Sequence, residues 1–231
     1  MGEEINLLAK FPRVARDTSG RAEEKTDEDR RIARQFGKEF FDGPRRVGLG
    51  GYHYHPKFWQ PAIPDFQKRY NLTSKSKILD VGCAKGFMLL DFMKLIPGIA
   101  VRGIDISAYA IQEAPPEVKP FLTVGDALSL PYNDREFDLV ISISTLHNLE
   151  GDALIQGFKE VQRVSRGKSF VFVDGYYTLE ERDRIHEWNL TARSILPVHE
   201  WHEVFAKAGY TGDYYWFCPP FPLGKVSTKN R

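Results

Sequence analysis

The sequence predicts a three-layer α/β fold built on a mostly parallel sheet of six to seven strands. Two observations carry this prediction. Short runs of branched apolar residues alternate with helical periodicities across residues 72–175, and three successive runs end in an aspartate. A chain of 231 residues can bury a sizeable core. We therefore expect a single domain, 1–231, with a helical and aromatic extension at 1–60, a helical insertion at 176–196 and a last helix and strand at 197–231.

The first predicted strand runs into a glycine turn and then a helix. Residues 77–81 carry three branched apolar side chains, which is typical of a buried parallel strand. Gly82 and Gly86 let the backbone turn tightly and approach a ligand, and residues 88–95 predict the helix. Asp80 lies at the carboxyl end of the strand, where open α/β sheets bind their ligands.

This turn favours a sulfonium cofactor over a dinucleotide. The last position of the dinucleotide fingerprint must be small so that helix and strand pack closely. Counted from Gly82, that position is Phe87, and the middle position is Ala84. A carboxylate such as Asp80 repels a diphosphate but attracts the sulfonium and ammonium groups of S-adenosylmethionine (SAM). The alternative is a plain strand-to-helix turn, and the following strands weigh against it.

Three further strands follow in order. Residues 100–107 contain Asp105 at a strand end, and a carboxylate there can accept both ribose hydroxyls. Residues 121–127 repeat the pattern with Asp126, which could take the adenine amino group. A fourth strand covers 137–144. Together ILDVGCAKG, GIDIS, GDALSLP and FDLVISISTLHNL resemble the class I SAM-dependent methyltransferases.

The resemblance implies a Rossmann-like class I methyltransferase fold, with SAM as cofactor and S-adenosylhomocysteine (SAH) as product. It also implies a set of cofactor-binding residues at the strand ends and turns. These are Asp80, Gly82, Cys83 and Gly86 along the methionine part, Asp105 and Ile106 at the ribose, Asp126 and Ala127 at the adenine, and Ser142 and Ser144 in the floor near the methyl group. Ala84 departs from the family pattern D-x-G-x-G-x-G, in which glycine is frequent at this position.

The composition narrows the function classes. A formal net charge of +1 gives no general field for nucleic acid. Cys83 and Cys218 are too few for a disulfide framework or a zinc site. The sequence has no long apolar run and no signal-peptide features, so we expect a cytoplasmic protein without a membrane span. The oligomeric state stays open.

The first part of the N-terminal extension is dense in charge over residues 17–35. Ile32, Phe36 and Phe40 recur at four-residue spacing, which predicts an amphipathic helix that ends at Gly43. This helix either packs at the edge of the domain or serves as a lid or a partner-binding helix.

The second part, residues 48–59, joins flexible glycines to alternating aromatic and histidine residues. Tyr52 and Tyr54 would share one face of a strand and His53 and His55 the other. Such a segment can close over a ligand, or it covers the edge of the sheet. The predicted substrate-binding residues are aromatic: Tyr52, Tyr54, Trp59, Tyr176 and Tyr177. The His-x-His pair lacks further ligands, so no metal site is expected.

The remaining periodicities extend the sheet and its helical layers. They predict helices over 61–70, 152–164 and 198–208, strands over 168–174 and 213–217, and only a short stretch, 224–228, for the final strand of the family's antiparallel hairpin. We therefore do not expect that strand to be complete.

Methyl transfer from a sulfonium is an in-line displacement, so the protein must align the acceptor and manage its proton. For a hydroxyl acceptor, a histidine within hydrogen-bond reach suits the role of base. His147 follows the strand whose end faces the methyl group and is the first candidate, before His53 and His55. The alternative for His147 is a packing role.

The sequence thus predicts SAM-dependent methyl transfer to a small polar molecule, by O-methylation of a hydroxyl on a metabolite such as a sugar or nucleotide-linked sugar. Two alternatives are a nucleic-acid methyltransferase and a non-catalytic SAM-binding regulatory protein. A dehydrogenase is least favoured, because of Asp80 and Phe87. Acceptor pockets in this fold are built from the additions, so the core motifs do not specify the acceptor.

Overall fold

The computed structural model describes residues 2–12 and 25–218, centred on a seven-stranded sheet. The strands are β1 (Lys77–Val81), β2 (Ala100–Asp105), β3 (Leu122–Val124), β4 (Leu139–Ile143), β5 (Ser169–Tyr176), β6 (Leu196–Pro197) and β7 (Asp213–Phe217). All of these pair in parallel. The predicted α/β class and strand number are confirmed. The stretch 224–228, which the sequence analysis does not expect to form a complete final strand, lies outside the described residues.

The strand order is β3-β2-β1-β4-β5, with β7 along the main length of β5 and β6 along its last two residues. The chain enters the sheet at β1, moves outward to β3 and returns to β4 on the other side of β1. The carboxyl ends of β1, β2 and β4 therefore meet at a topological switch point, which is where open α/β sheets bind ligands.

The helices are α1 (Asp27–Ala33), α2 (Lys38–Phe41), α3 (Pro56–Trp59), α4 (Ile63–Tyr70), α5 (Phe87–Leu95), α6 (Ala108–Gln112), α7 (Gly151–Val164), α8 (Leu179–Trp188) and α9 (Val198–Ala208). Their apolar sides bury both faces of the sheet. Phe66 meets Phe92 and Phe170 edge to face, at centroid distances of 6.1 and 5.2 Å. Between α7 and α9, Phe158 packs on Trp201 at a ring-centroid distance of 6.1 Å. Each such pair adds about 0.5–1.5 kcal/mol beyond the burial of its area.

The prediction of one amphipathic helix reaching Phe40 is wrong. α1 begins at a capping box between Thr26 and Asp29, and the left-handed backbone of Phe36, at φ +49°, separates α1 from α2. Residues 13–24, which include the start of the predicted helix, lie outside the described residues.

The strand predicted over Tyr52–His55 is also absent, because residues 51–55 have no strand partner in the described part of the chain. The rings of Tyr52 and Tyr54 both contact Phe87, at centroid distances of 4.8 and 5.7 Å.

The first described residues cover the outer edge of β7. The Ile5 amide donates to the Tyr214 carbonyl at 2.9 Å, and the Tyr214 amide donates to the Glu3 carbonyl at 3.1 Å. Arg69 of α4 forms salt bridges with Glu3 and Asp213 beside this contact. An exposed strand edge is thereby satisfied within the chain. Across 2–12 and 25–218, no helix combines the length and apolarity that crossing a membrane requires.

Candidate cofactor and acceptor site

The turn after β1 holds three residues with left-handed backbone. Gly82, Ala84 and Gly86 have φ angles of +84°, +49° and +73°. A Cβ at Gly82 would lie 1.9 Å from Oγ1 of Thr145, and one at Gly86 would lie 2.8 Å from Leu122. Space and backbone conformation therefore both require glycine at these two positions. Ala84 adopts the same conformation with a side chain, which costs about 1 kcal/mol.

Two carboxylates lie at neighbouring strand ends beside this turn. Asp105 accepts from the amides of Ala84 and Ser107 at 2.7 and 2.8 Å, so its orientation is fixed by the turn itself. Asp80 is only 5% exposed. Burial, and then the charge of Asp105, raise the pKa of Asp80 to about 7. Burial also raises the pKa of Asp105, against its two backbone hydrogen bonds. A cationic ligand would relieve this buried acidic pair.

Exposed apolar surface adjoins the carboxylates. Ile106 is 60% and Val124 50% exposed, at the ends of β2 and β3. Two large apolar side chains left open at one place favour a flat apolar ligand part such as a purine. Asp126 is exposed beyond β3, where one of its oxygens accepts from the Leu128 amide at 2.9 Å, and Ala127 is half-buried next to it.

A buried ion pair ties the N-terminal extension to the glycine turn. Lys85, within the turn, donates to Asp42 at 2.6 Å and to the carbonyl of Tyr52 at 2.9 Å. Asp42 also accepts from the Tyr52 amide and the Tyr109 hydroxyl, at 2.9 and 2.7 Å. Burial raises the pKa of Asp42, but the bonds from Lys85, Tyr52 and Tyr109 outweigh it and bring the pKa to about 2.

The ring of Tyr52 lies on the turn, stacked on Phe87. Burial, and then the charge of Asp80, raise the pKa of Tyr52, with the charge of Asp105 adding to the effect and a hydrogen bond from Trp59 opposing it. The phenol is thus near both carboxylates. Among the predicted substrate-binding residues, Tyr52 and Trp59 adjoin the cofactor region.

The other predicted residues of the extension have different surroundings. The Tyr54 hydroxyl donates to Asp91 of α5 at 2.6 Å, so this residue anchors the extension to the core. His55 is exposed and caps α3, because its Nδ1 accepts from the Lys57 amide at 3.1 Å. His53 is exposed.

The end of β4 lies against β1 and the glycine turn. Ser142 is buried, and its hydroxyl donates to the Val81 carbonyl at 3.0 Å, so it joins β4 to β1. Ser144 is exposed, with a left-handed φ of +53°. Thr145 occupies the space beside Gly82. Cys83 is buried, and its thiol donates to the carbonyl of Ala84.

His147 is buried where β4, β5 and the insertion meet. Its Nδ1 accepts from the Asp174 amide at 3.0 Å, and its carbonyl accepts from the amides of Arg193 and Ser194, both at 2.9 Å. The Asp174 carboxylate lies 3.3 Å from Nδ1 and accepts a hydrogen bond from Asn189. Since Nδ1 is an acceptor, the neutral ring carries its proton on Nε2.

The two remaining predicted residues lie at the start of the insertion. Tyr176 ends β5 and pairs with Pro197. Tyr177 is 63% exposed, and its hydroxyl donates to Glu4 at 2.9 Å, so it contacts the N-terminal segment. The described residues contain no group of three or more histidines, cysteines and acids that could hold a metal ion.

Residues 78–168 match the family model of a methyltransferase domain, a range that runs from β1 past both carboxylates and the end of β4. Residues 78–168 therefore carry a methyltransferase domain, which together with the relatives below supports a class I SAM-dependent methyltransferase. The predicted family and its cofactor, SAM, are confirmed.

Curated methyltransferases of two substrate classes are similar to this chain. An ajmaline N-methyltransferase of Rauvolfia serpentina is 30% identical over 150 residues, which cover 62% of this chain and 47% of the relative. A tRNA (carboxymethyluridine(34)-5-O)-methyltransferase of Arabidopsis thaliana is 32% identical over 132 residues, which cover 57% of this chain and 31% of that protein. The chain thus spans less than half the length of either relative.

Among solved structures, the chain resembles a methyltransferase in complex with the Trm112 methyltransferase activator of Haloferax volcanii. The TM-score is 0.53 at 20% identity, over 65% of this chain and 68% of that one. A likeness at this identity supports the methyltransferase fold alone.

Sequence reasoning missed three residues of this candidate site. Lys85 and Asp42 form the buried ion pair, and Val124 offers apolar surface. Thr145, which faces Gly82, belongs to the floor segment 142–145 that the sequence predicted. A lysine inside a turn between a buried strand and a buried helix is a signal for a buried acidic partner. The sequence gives no signal for which of the many acids of the extension that partner is.

Proposed function

We propose that the protein transfers the methyl group of SAM to a hydroxyl of a small polar molecule, such as a sugar or nucleotide-linked sugar. The observation that carries methyl transfer is the buried pair of Asp80 and Asp105 at the glycine turn of the matched core. The near-neutral net charge of +1 favours a small acceptor over a long polyanion.

Each side of the site has a proposed role. Asp80 attracts the cationic methionine part, Asp105 accepts the ribose hydroxyls, and Ile106 with Val124 packs on the adenine. The chain's own contribution to the reaction is alignment, since SAM supplies the leaving group. Tyr52 and Trp59 would limit the space beside the methyl group.

His147 is the first candidate for the base, with His53 and His55 as the others. In its present arrangement the ring would first have to move its proton from Nε2 to Nδ1, where the Asp174 carboxylate lies 3.3 Å away. A carboxylate in that position stabilises the imidazolium that forms when Nε2 takes a proton. His147→Ala should then lower turnover by about 10²–10⁴-fold while SAM affinity stays.

The experiment is a screen for SAH release from SAM with a panel of hydroxylated metabolites, compared with amine acceptors of similar size. We expect hydroxyl-dependent release that falls in His147→Ala and not in the exposed-residue variants His53→Ala and His55→Ala. If only amines release SAH, the O-methylation proposal is wrong. If the protein binds SAH but no acceptor causes SAH to form from SAM, a non-catalytic SAM-binding role replaces the proposal.

A nucleic-acid acceptor is the second candidate, because one relative is named as a tRNA methyltransferase. Binding of tRNA that weakens steeply with salt, together with SAH release on tRNA, would favour it over the small acceptor. A cytoplasmic location remains a prediction of the sequence.

A further inference from the structure

A cleft of about 380 Å³ lies between α1 and the loop that follows α8. Guanidinium groups dominate its lining, which consists of Asp27, Arg30, Arg31, Arg34, Gln35 and Arg193. The chain as a whole is nearly neutral, so this concentration of positive charge is a local feature.

Two of the arginines are fixed in place without being neutralised. Arg30 lies on α1 and Arg34, four residues later, is its C-cap residue, so the two side chains leave the same side of the helix. Arg30 donates to the carbonyl of Asn189 at 2.8 Å, and Arg34 to those of Thr191 and Ala192 at 3.3 and 3.5 Å. Carbonyl oxygens orient a guanidinium but leave its charge uncompensated. Within the described residues, neither arginine has a carboxylate within salt-bridge distance.

The acids around the cleft offset only part of this charge. Arg193 pairs with Glu150 and Arg31 with Glu28, at 2.8 and 2.7 Å on the exposed surface. Burial lowers the pKa of Arg34, and the charges of Arg193 and Arg30 lower it further, whereas Glu150 and Asp27 oppose the shift. Like charges held together in this way, with Arg30 and Arg34 half-buried, are stabilised when an anion enters.

We infer that this cleft binds a compact oxyanion, a phosphate or carboxylate group, carried by the methyl acceptor. The guanidinium forks match the geometry of both groups. The cleft adjoins the acceptor side of the site, because the Arg193 amide donates to the carbonyl of His147 at 2.9 Å. The link to the acceptor rests on the proposed function, whereas anion binding itself does not.

Calorimetry with inorganic phosphate, at constant ionic strength in chloride and without SAM, tests the site alone. We expect phosphate to bind, and Arg193→Gln and Arg34→Gln each to weaken it at least tenfold. Lys75→Gln, which removes an exposed cation in the loop that leads into the amino end of β1, is the matched control and should not change it. Arg34→Lys keeps the charge without the fork and should bind at an intermediate strength. Melting curves establish that each variant is folded.

Absence of phosphate binding, or equal weakening by Lys75→Gln, would overturn the inference. Phenyl phosphate and benzoate then distinguish the source of the anion. Tighter binding of either than of inorganic phosphate supports an acceptor-borne group, and tighter binding of inorganic phosphate overturns that assignment. Nucleic acid becomes the proposed ligand, in place of a small anion, under one outcome. In that outcome a single-stranded RNA binds more tightly than phenyl phosphate and loses affinity in all the variants, including Lys75→Gln. Failure of SAH release in the acceptor screen would leave these binding results intact, so the two proposals fail separately.

Discussion

Replacing Asp80 with asparagine separates the cost of this carboxylate to the unliganded fold from its attraction for the cofactor. Asparagine keeps the size of the side chain but removes the charge that burial opposes. We expect Asp80→Asn to make the unliganded protein more stable at high pH and to bind SAM more weakly. A change that stabilises the fold while it removes affinity is typical of a residue kept for its ligand.

The size of the stability difference between Asp80→Asn and the wild type follows from the pKa of Asp80, which is raised from 3.8 to about 7. Because the folded value lies above the unfolded one, the folded protein binds more protons between these pH values, and stability falls as pH rises. One pKa unit corresponds to about 1.36 kcal/mol. Relative to a side chain that does not ionise, Asp80 therefore lowers the free energy of unfolding by about 2 kcal/mol at pH 5.5 and by about 4 kcal/mol at pH 8. The advantage of Asp80→Asn over the wild type should therefore grow by about 2 kcal/mol between these two pH values.

Urea unfolding without ligand at pH 5.5 and pH 8 measures this difference. Asp152→Asn, which removes an exposed carboxylate at the start of α7, is the control and should show no such change with pH. Calorimetry should show that the wild type binds SAM more tightly as pH rises through about 7, where Asp80 ionises. An equal stability difference at both pH values, or unchanged SAM affinity in Asp80→Asn, would refute the assignment.

Four further predictions address the turn and the extension. Asp105→Ala should weaken SAH binding by about 1–3 kcal/mol, because the ribose hydroxyls lose their acceptor, and unchanged affinity in calorimetry would remove this residue from the site. Ala84→Gly should raise the free energy of unfolding by about 0.5–1 kcal/mol, since glycine accepts the φ of +49° without strain; an equal or lower melting temperature would contradict this. Lys85→Met should leave Asp42 buried without its cation and cost about 3 kcal/mol, with faster hydrogen exchange in residues 36–54 and no local change in α7. Segment 48–59 should exchange more slowly with SAH and acceptor than without them, and equal exchange would leave Tyr52 a packing role.

The core of the site could be predicted because its signals are local in the sequence. A carboxylate at the end of a buried strand must lie at the carboxyl edge of a parallel sheet, so the strand pattern alone predicts that Asp80 and Asp105 lie together. The requirement for glycine at positions 82 and 86 is likewise a property of one turn, and both residues have positive φ angles.

The extension could not be predicted in the same way, because its conformation depends on contacts distant in the sequence. Phe36 fits a helical periodicity, yet its carbonyl accepts a hydrogen bond from Ser107 where the chain leaves the helical path. Asp42 meets Lys85 across 43 residues. Periodicity describes which face of an element is apolar, and it carries no information on which distant partner holds that element.

The central claim, that the glycine turn binds SAM and its product SAH rather than a dinucleotide, is tested most directly by calorimetry of the wild-type chain with SAH and with NAD. The account predicts binding of SAH that weakens in Asp105→Ala, and no measurable binding of NAD, because the diphosphate would meet the buried carboxylates of Asp80 and Asp105. Binding of NAD without binding of SAH or SAM would contradict it.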